Sequence, residues 1–94
     1  MKFAFLILGN FNSSIDRKEI GNGSSMIIGV SSVEEACSVA KELMKENIAC
    51  IELCGAFRED GARSVIAATN NQVPIGYVTH LEEQNDLFKK TFNE

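Results

Sequence analysis

Apolar residues gather in four short runs along this chain, and the segments between them repeat at helical spacing. The first run, Phe3-Ala4-Phe5-Leu6-Ile7-Leu8, ends at Gly9 and reads as a strand buried on both faces. Residues 10–23 are then polar and turn-rich. So long a connection in a small domain is a candidate functional loop, with room for a short helical turn around residues 14–20. Ser25-Met26-Ile27-Ile28-Gly29-Val30 is a second strand and Ala49-Cys50-Ile51-Glu52-Leu53-Cys54 a third. Pro74-Ile75-Gly76-Tyr77-Val78-Thr79 is a fourth, with its proline at the first position, where a strand tolerates it.

Three helices fit between and after these strands. Ser32 is a natural N-cap, and Glu35 three residues on completes a capping box. Val33, Ala36, Cys37, Ala40, Leu43 and Met44 fall on one face, with acids early and lysines late, and the helix ends near Asn47. A second helix runs from about Glu59 to Thr69, turning Ala62, Val65 and Ile66 inward. A third runs from Leu81 to about Phe92, burying Leu81, Phe88 and Phe92. The order β-β-α-β-α-β-α predicts a small α/β domain with a four-stranded, mostly parallel sheet and three helices. It leaves open the strand order and the direction of the first strand.

Composition narrows the classes. The 94 residues make one domain, 1–94, and 45% apolar content belongs to a globular chain. A domain this small often completes its core by association, so a homo-oligomer is expected. The net charge of −4 and three scattered arginines, Arg17, Arg58 and Arg63, argue against a nucleic-acid partner. The first apolar run is short for a signal segment and no cleavage site follows it; no run is long enough to span a membrane. Cys37, Cys50 and Cys54 are odd in number and lack a C-x-x-C pair, which points to a reducing, cytoplasmic setting.

Glu52 is the first candidate for chemistry, because a carboxylate in an interior strand must pair, accept hydrogen bonds or stay protonated. Strand alternation puts Cys50, Glu52 and Cys54 on one face, which suits a ligand, an open sheet face or a subunit contact. Arg58, Arg63, Tyr77 and His80 are its candidate partners, and an arginine pair across an oligomer interface is the non-catalytic alternative. Ligands of parallel sheets gather at the carboxyl ends of strands, which here offer Asn10, Ser31 or Ser32, Cys54 and Thr79 with His80. Late glycines, Gly9, Gly29, Gly55 and Gly76, either admit a ligand to the backbone or serve turns and packing. His80 is a catalyst or a capping and packing residue. Cys54 is activated by the following helix and Arg58, or is a small buried hydrophobe. No Cys/His/Asp cluster has metal-ligand spacing, and no Walker loop, G-x-G-x-x-G or G-x-S-x-G occurs, so neither metal nor cofactor is expected.

Residues 48–80 carry Cys-Ile-Glu-Leu-Cys-Gly-Ala-Phe, Gly-Ala-Arg and Val-Pro-Ile-Gly-Tyr-Val-Thr-His. This stretch resembles one βαβ unit of a TIM barrel of the keto-deoxy-phosphogluconate aldolase type, where a strand glutamate is acid and base. That likeness implies strands in sequential order, but no lysine here is placed to form a Schiff base. Over its whole length the chain resembles a family of short bacterial α/β proteins with a domain of unknown function. The shared segments are Lys-Phe-Ala-Phe, Ile-Ile-Gly-Val-Ser-Ser-Val-Glu-Glu-Ala, Ile-Glu-Leu-Cys-Gly-Ala-Phe and Pro-Ile-Gly-Tyr-Val-Thr-His. The resemblance implies a compact α/β fold and no particular activity.

Three functions follow as expectations. The first is a small-molecule binding or regulatory module, its pocket built from the 10–23 loop with Asn10, Glu52, Cys54, Arg58, Arg63, Tyr77, Thr79 and His80. The second is a lyase or isomerase with Glu52 as general acid/base, His80 as its partner and Cys54 beside them. The third is a structural oligomerisation unit with Glu52 in a subunit contact.

Overall fold

A computed structural model describes residues 1–93. Its sheet has five strands in the order β2-β3-β1-β4-β5, with β1 Phe3–Leu8, β2 Arg17–Ile20, β3 Ser25–Val30, β4 Cys50–Leu53 and β5 Ile75–Tyr77. Four of them, β3, β1, β4 and β5, run parallel, and β2 pairs antiparallel with β3 at the edge. The expected four-stranded sheet is therefore one strand short of what forms. Arg17-Lys18-Glu19-Ile20 has no apolar alternation, and it lies inside the segment read as a loop or helical turn. It becomes a strand because a tight turn at Gly21-Asn22-Gly23, all three at positive φ, folds it back onto β3. Its charged side chains also blunt the exposed edge against unwanted pairing.

The first strand runs parallel with β3 on one side and β4 on the other. Its central place breaks the sequential order that the aldolase likeness implied. Helices α1 (Val33–Lys45) and α2 (Arg58–Ala68) pack against each other on one face of the sheet. Beneath them lie Ala4, Leu6, Met26, Ile28, Val30, Ile51 and Leu53, meeting Ala36, Ala40, Leu43, Ala62 and Val65 from the helices. Each large side chain so buried contributes about 1.5–3 kcal/mol. At the start of α1 the Glu35 N–H donates to Ser32 Oγ at 3.0 Å, as the capping box requires. The return bond differs, since Glu35 Oε1 accepts from the Ser31 N–H at 2.7 Å rather than from Ser32.

The other sheet face has no helix on it. Phe3 and Ile27 remain 42% and 43% exposed there, so the expectation of a first strand buried on both faces fails for this face. The Phe11 ring covers its upper end. A Cβ on Gly29 would stand 2.6 Å from Phe11 Cγ, and one on Gly9 2.8 Å from Phe11 Cε2. These two late glycines thus serve packing.

Helix α3 (Asn85–Phe92) also departs from expectation, because it buries none of its residues. Leu81 and Phe92 are 70% and 62% exposed, and Phe88 alone of the expected trio is half-buried.

Candidate functional site

Strand β4 delivers its chain end into a cleft. Beyond Leu53 come Cys54, a 3-10 turn at Gly55–Phe57 and α2; beyond β5 come Val78, Thr79 and His80, then α3. The space between these two exits is a half-open cleft of about 760 Å³. Cys54, Arg58, Tyr77, Thr79 and His80 line it, together with Glu59, Asn85, Phe88 and Phe92. Five of the eight residues singled out from the sequence are therefore brought together.

Cys54 and His80 are held by side-chain hydrogen bonds, and Tyr77 by its place in the sheet register. Cys54 Sγ accepts the Leu8 N–H at 3.3 Å, while the Cys54 N–H donates to the Leu6 carbonyl at 3.0 Å. The thiol sulfur thereby helps fix the carboxyl ends of β1 and β4 side by side. Those are the strands at which the sheet's connectivity reverses; the cleft lies one strand further on, between the exits of β4 and β5. Tyr77 sits opposite Leu53 in the parallel register, on the face that carries the helices. His80 Nε2 makes a 2.7 Å hydrogen bond with Asn85 Oδ1, and its ring stacks on Phe88 with centroids 3.8 Å apart. Phe92 continues the stack at 5.8 Å from Phe88. His80 therefore packs and orients α3 as one wall of the cleft.

Arg58 occupies the joint between the 3-10 turn and α2 with φ 58° and ψ −179°, backbone space that glycine alone enters without strain. Holding arginine there costs about 1–3 kcal/mol, and such outliers cluster at functional sites. No side chain caps the N-terminus of α2, and Glu59 and Asp60 occupy its first turn. Arg63, one helical turn on, clamps Glu59 with Nη2–Oε2 at 2.6 Å and Nε–Oε2 at 3.0 Å. This pair raises the Arg63 pKa first through the hydrogen bond and then through the charge of Glu59. Arg63 itself does not line the cleft; it orients a residue that does.

Glu52 and Asn10 also lie outside the cleft's lining. Glu52 is exposed on the bare sheet face, between Phe5 and Gly76 in register, with one oxygen 2.8 Å from where a Gly76 Cβ would stand. Its other oxygen accepts the Cys50 thiol at 3.4 Å. The strand is interior to the sheet, but only one of its faces is interior to the protein. The premise of a buried carboxylate is therefore corrected, and the cleft that His80 lines does not include Glu52. The cleft residues missed from the sequence are chiefly Asn85, Phe88 and Phe92. The two phenylalanines fall on an apolar helix stripe, and at that spacing core and cleft wall share one signal.

Among the described residues no group of three or more His, Cys, Asp or Glu side chains is placed to hold a metal ion. No helix among them is long and apolar enough to cross a membrane.

Fold and cleft together define a small α/β domain: a mixed five-stranded sheet, helices on one face, and a half-open cleft at the carboxyl ends of β4 and β5. The chain belongs to the family of unknown function DUF6506, whose model matches residues 1–93. No curated protein and no solved structure matches it.

Proposed function

We propose that this protein is a small-molecule binding or regulatory module whose ligand enters the cleft between Cys54–Glu59 and Tyr77–His80. The cleft itself carries this reading. At about 760 Å³ it falls within the range of ligand pockets. Like them it combines apolar walls with a few converging polar groups. Phe92, at the end of the His80–Phe88–Phe92 ring stack, offers an apolar surface to the ligand, while Arg58 and Thr79 offer donors to an anionic or hydrogen-bond-accepting end. The strained backbone at Arg58 supports the same reading, since a purely structural joint would be cheaper as glycine.

A thermal-shift screen against a panel of planar carboxylates and other small metabolites tests the proposal. A binder raises the melting temperature of the wild type, and Arg58→Ala or Phe88→Ala removes that rise, while Glu52→Gln keeps it. A rise that survives both cleft substitutions would place the ligand elsewhere.

A further inference from the structure

The bare sheet face has a charge order that is complementary to itself under a half-turn about the strand direction. Across its middle row the direct register partners run Lys18, Ile27, Phe5, Glu52, from β2 through β3 and β1 to β4. Directly opposed residues project to the same face. Ile27 is on the exposed face, since its neighbours Met26 and Ile28 are buried under the helices. Lys18 and Glu52 therefore flank an apolar centre, cation on one side and anion on the other. The row below reads Ile20, Ser25, Phe3, Cys50 on the same strands.

We propose that this face is the contact between two copies of the chain, stacked sheet on sheet about a two-fold axis parallel to the strands between β3 and β1. Such an axis lays Lys18 over Glu52 of the second copy twice, once at each side. It lays Ile27 over Phe5, and Phe3 over the small Ser25. A two-fold axis running across the strands instead would set Lys18 against Lys18 and Glu52 against Glu52, which like-charge repulsion disfavours. The charge pattern thus selects both the occupant and the axis. Sheets packed this way keep their strands within about 30° of each other.

The strand spacing and rise give the face a flat projection of roughly 400 Å² per copy. About 800 Å² over the two copies lies below the range of stable specific interfaces and predicts a weak, transient dimer. None of the bare-face residues Lys18, Ile27, Phe5 and Glu52 lines the cleft, so pairing leaves it open. This inference stands apart from the ligand proposal.

Sedimentation equilibrium of the full chain from about 1 to 500 µM tests it, with Lys18→Glu, Glu52→Lys and the double reversal. Both side chains are exposed, and circular dichroism checks that each variant keeps the fold. The wild type is expected to dimerise, each single reversal to weaken the dimer about tenfold or more, and the double reversal to restore it. A zero-length carbodiimide cross-linker should join Lys18 to Glu52 in a product of dimer mass. A wild type that stays monomeric overturns the proposal. So does a dimer that ignores the single reversals, or one that the double reversal does not restore.

Discussion

The His80 ring lies flat on Phe88, with centroids 3.8 Å apart and planes 5° from parallel. This stack and the Asn85 hydrogen bond join the loop after β5 to α3, which buries no residue of its own. An aromatic pair of this kind contributes about 0.5–1.5 kcal/mol. Phe88→Ala should therefore release α3 while leaving the sheet intact. Hydrogen exchange is expected to quicken up to about tenfold across residues 85–92, with little change in 3–8 or 25–30. Equal loss of protection in both regions would mean that α3 is part of the cooperative core.

Strain at Arg58 is separable from the side chain's contacts by comparing two truncations. Arg58→Gly and Arg58→Ala both remove the guanidinium, and only glycine relaxes at φ 58°. The glycine variant should be the more stable by about 1–3 kcal/mol in denaturant unfolding. Both variants should lose ligand binding. Equal stability of the two would show that no strain is held at this joint.

Cys50 reports on the Glu52 environment. Burial first, then the hydrogen bond to Glu52 and its negative charge, push the Cys50 thiol above the ordinary cysteine range. A raised pKa leaves less thiolate at pH 8, so Cys50 should alkylate more slowly than an unhindered thiol. Glu52→Gln removes the charge and should speed modification at that pH, with burial still holding it back. Peptide mapping after iodoacetamide reads the rate, and an unchanged rate would mean that the carboxylate does not bear on this thiol.

Phe11 and Gly29 form a packing pair across the upper end of the bare face. A Cβ at Gly29 would meet the root of the Phe11 side chain, 2.6 Å from Cγ and 2.7 Å from Cβ, where no small rotation relieves it. Gly29→Ala should cost about 1–3 kcal/mol. In a Phe11→Ala background the same change should cost much less, giving a coupling that a double-mutant cycle in urea measures.

Much of the architecture was legible because burial writes a period into the sequence. Ala36, Ala40 and Leu43 face the core at helical spacing, and Ser32 caps their helix as its position indicates. Strand β2 was illegible because Arg17–Ile20 is held by backbone pairing and exposes every side chain, leaving no hydrophobic record. The bare sheet face was misread for the opposite reason. Phe3 is exposed and Phe5 and Ile7 are only half-buried, yet all three are apolar, so β1 looks doubly buried. Glu52 followed from that error, since the alternation that gave its face was right and the assumed burial was not.

The cleft shows the same division. Cys54, Tyr77, Thr79 and His80 were found because ligands gather at strand ends, a rule of topology that needs no contact map. Phe88 and Phe92 read as core from the sequence because an apolar helix stripe does not say what it faces. Late glycines carried two meanings, and at Gly9 and Gly29 the meaning is room for Phe11.

The most direct test is to map where small molecules bind, by following backbone amide shifts of the labelled protein through a fragment library. Perturbations gathered on residues 54–59, 77–80 and 85–92, and lost in Phe88→Ala, are the predicted result. Hits clustered on the bare face around Phe5, Ile27 and Glu52, with the cleft amides unmoved, would contradict it.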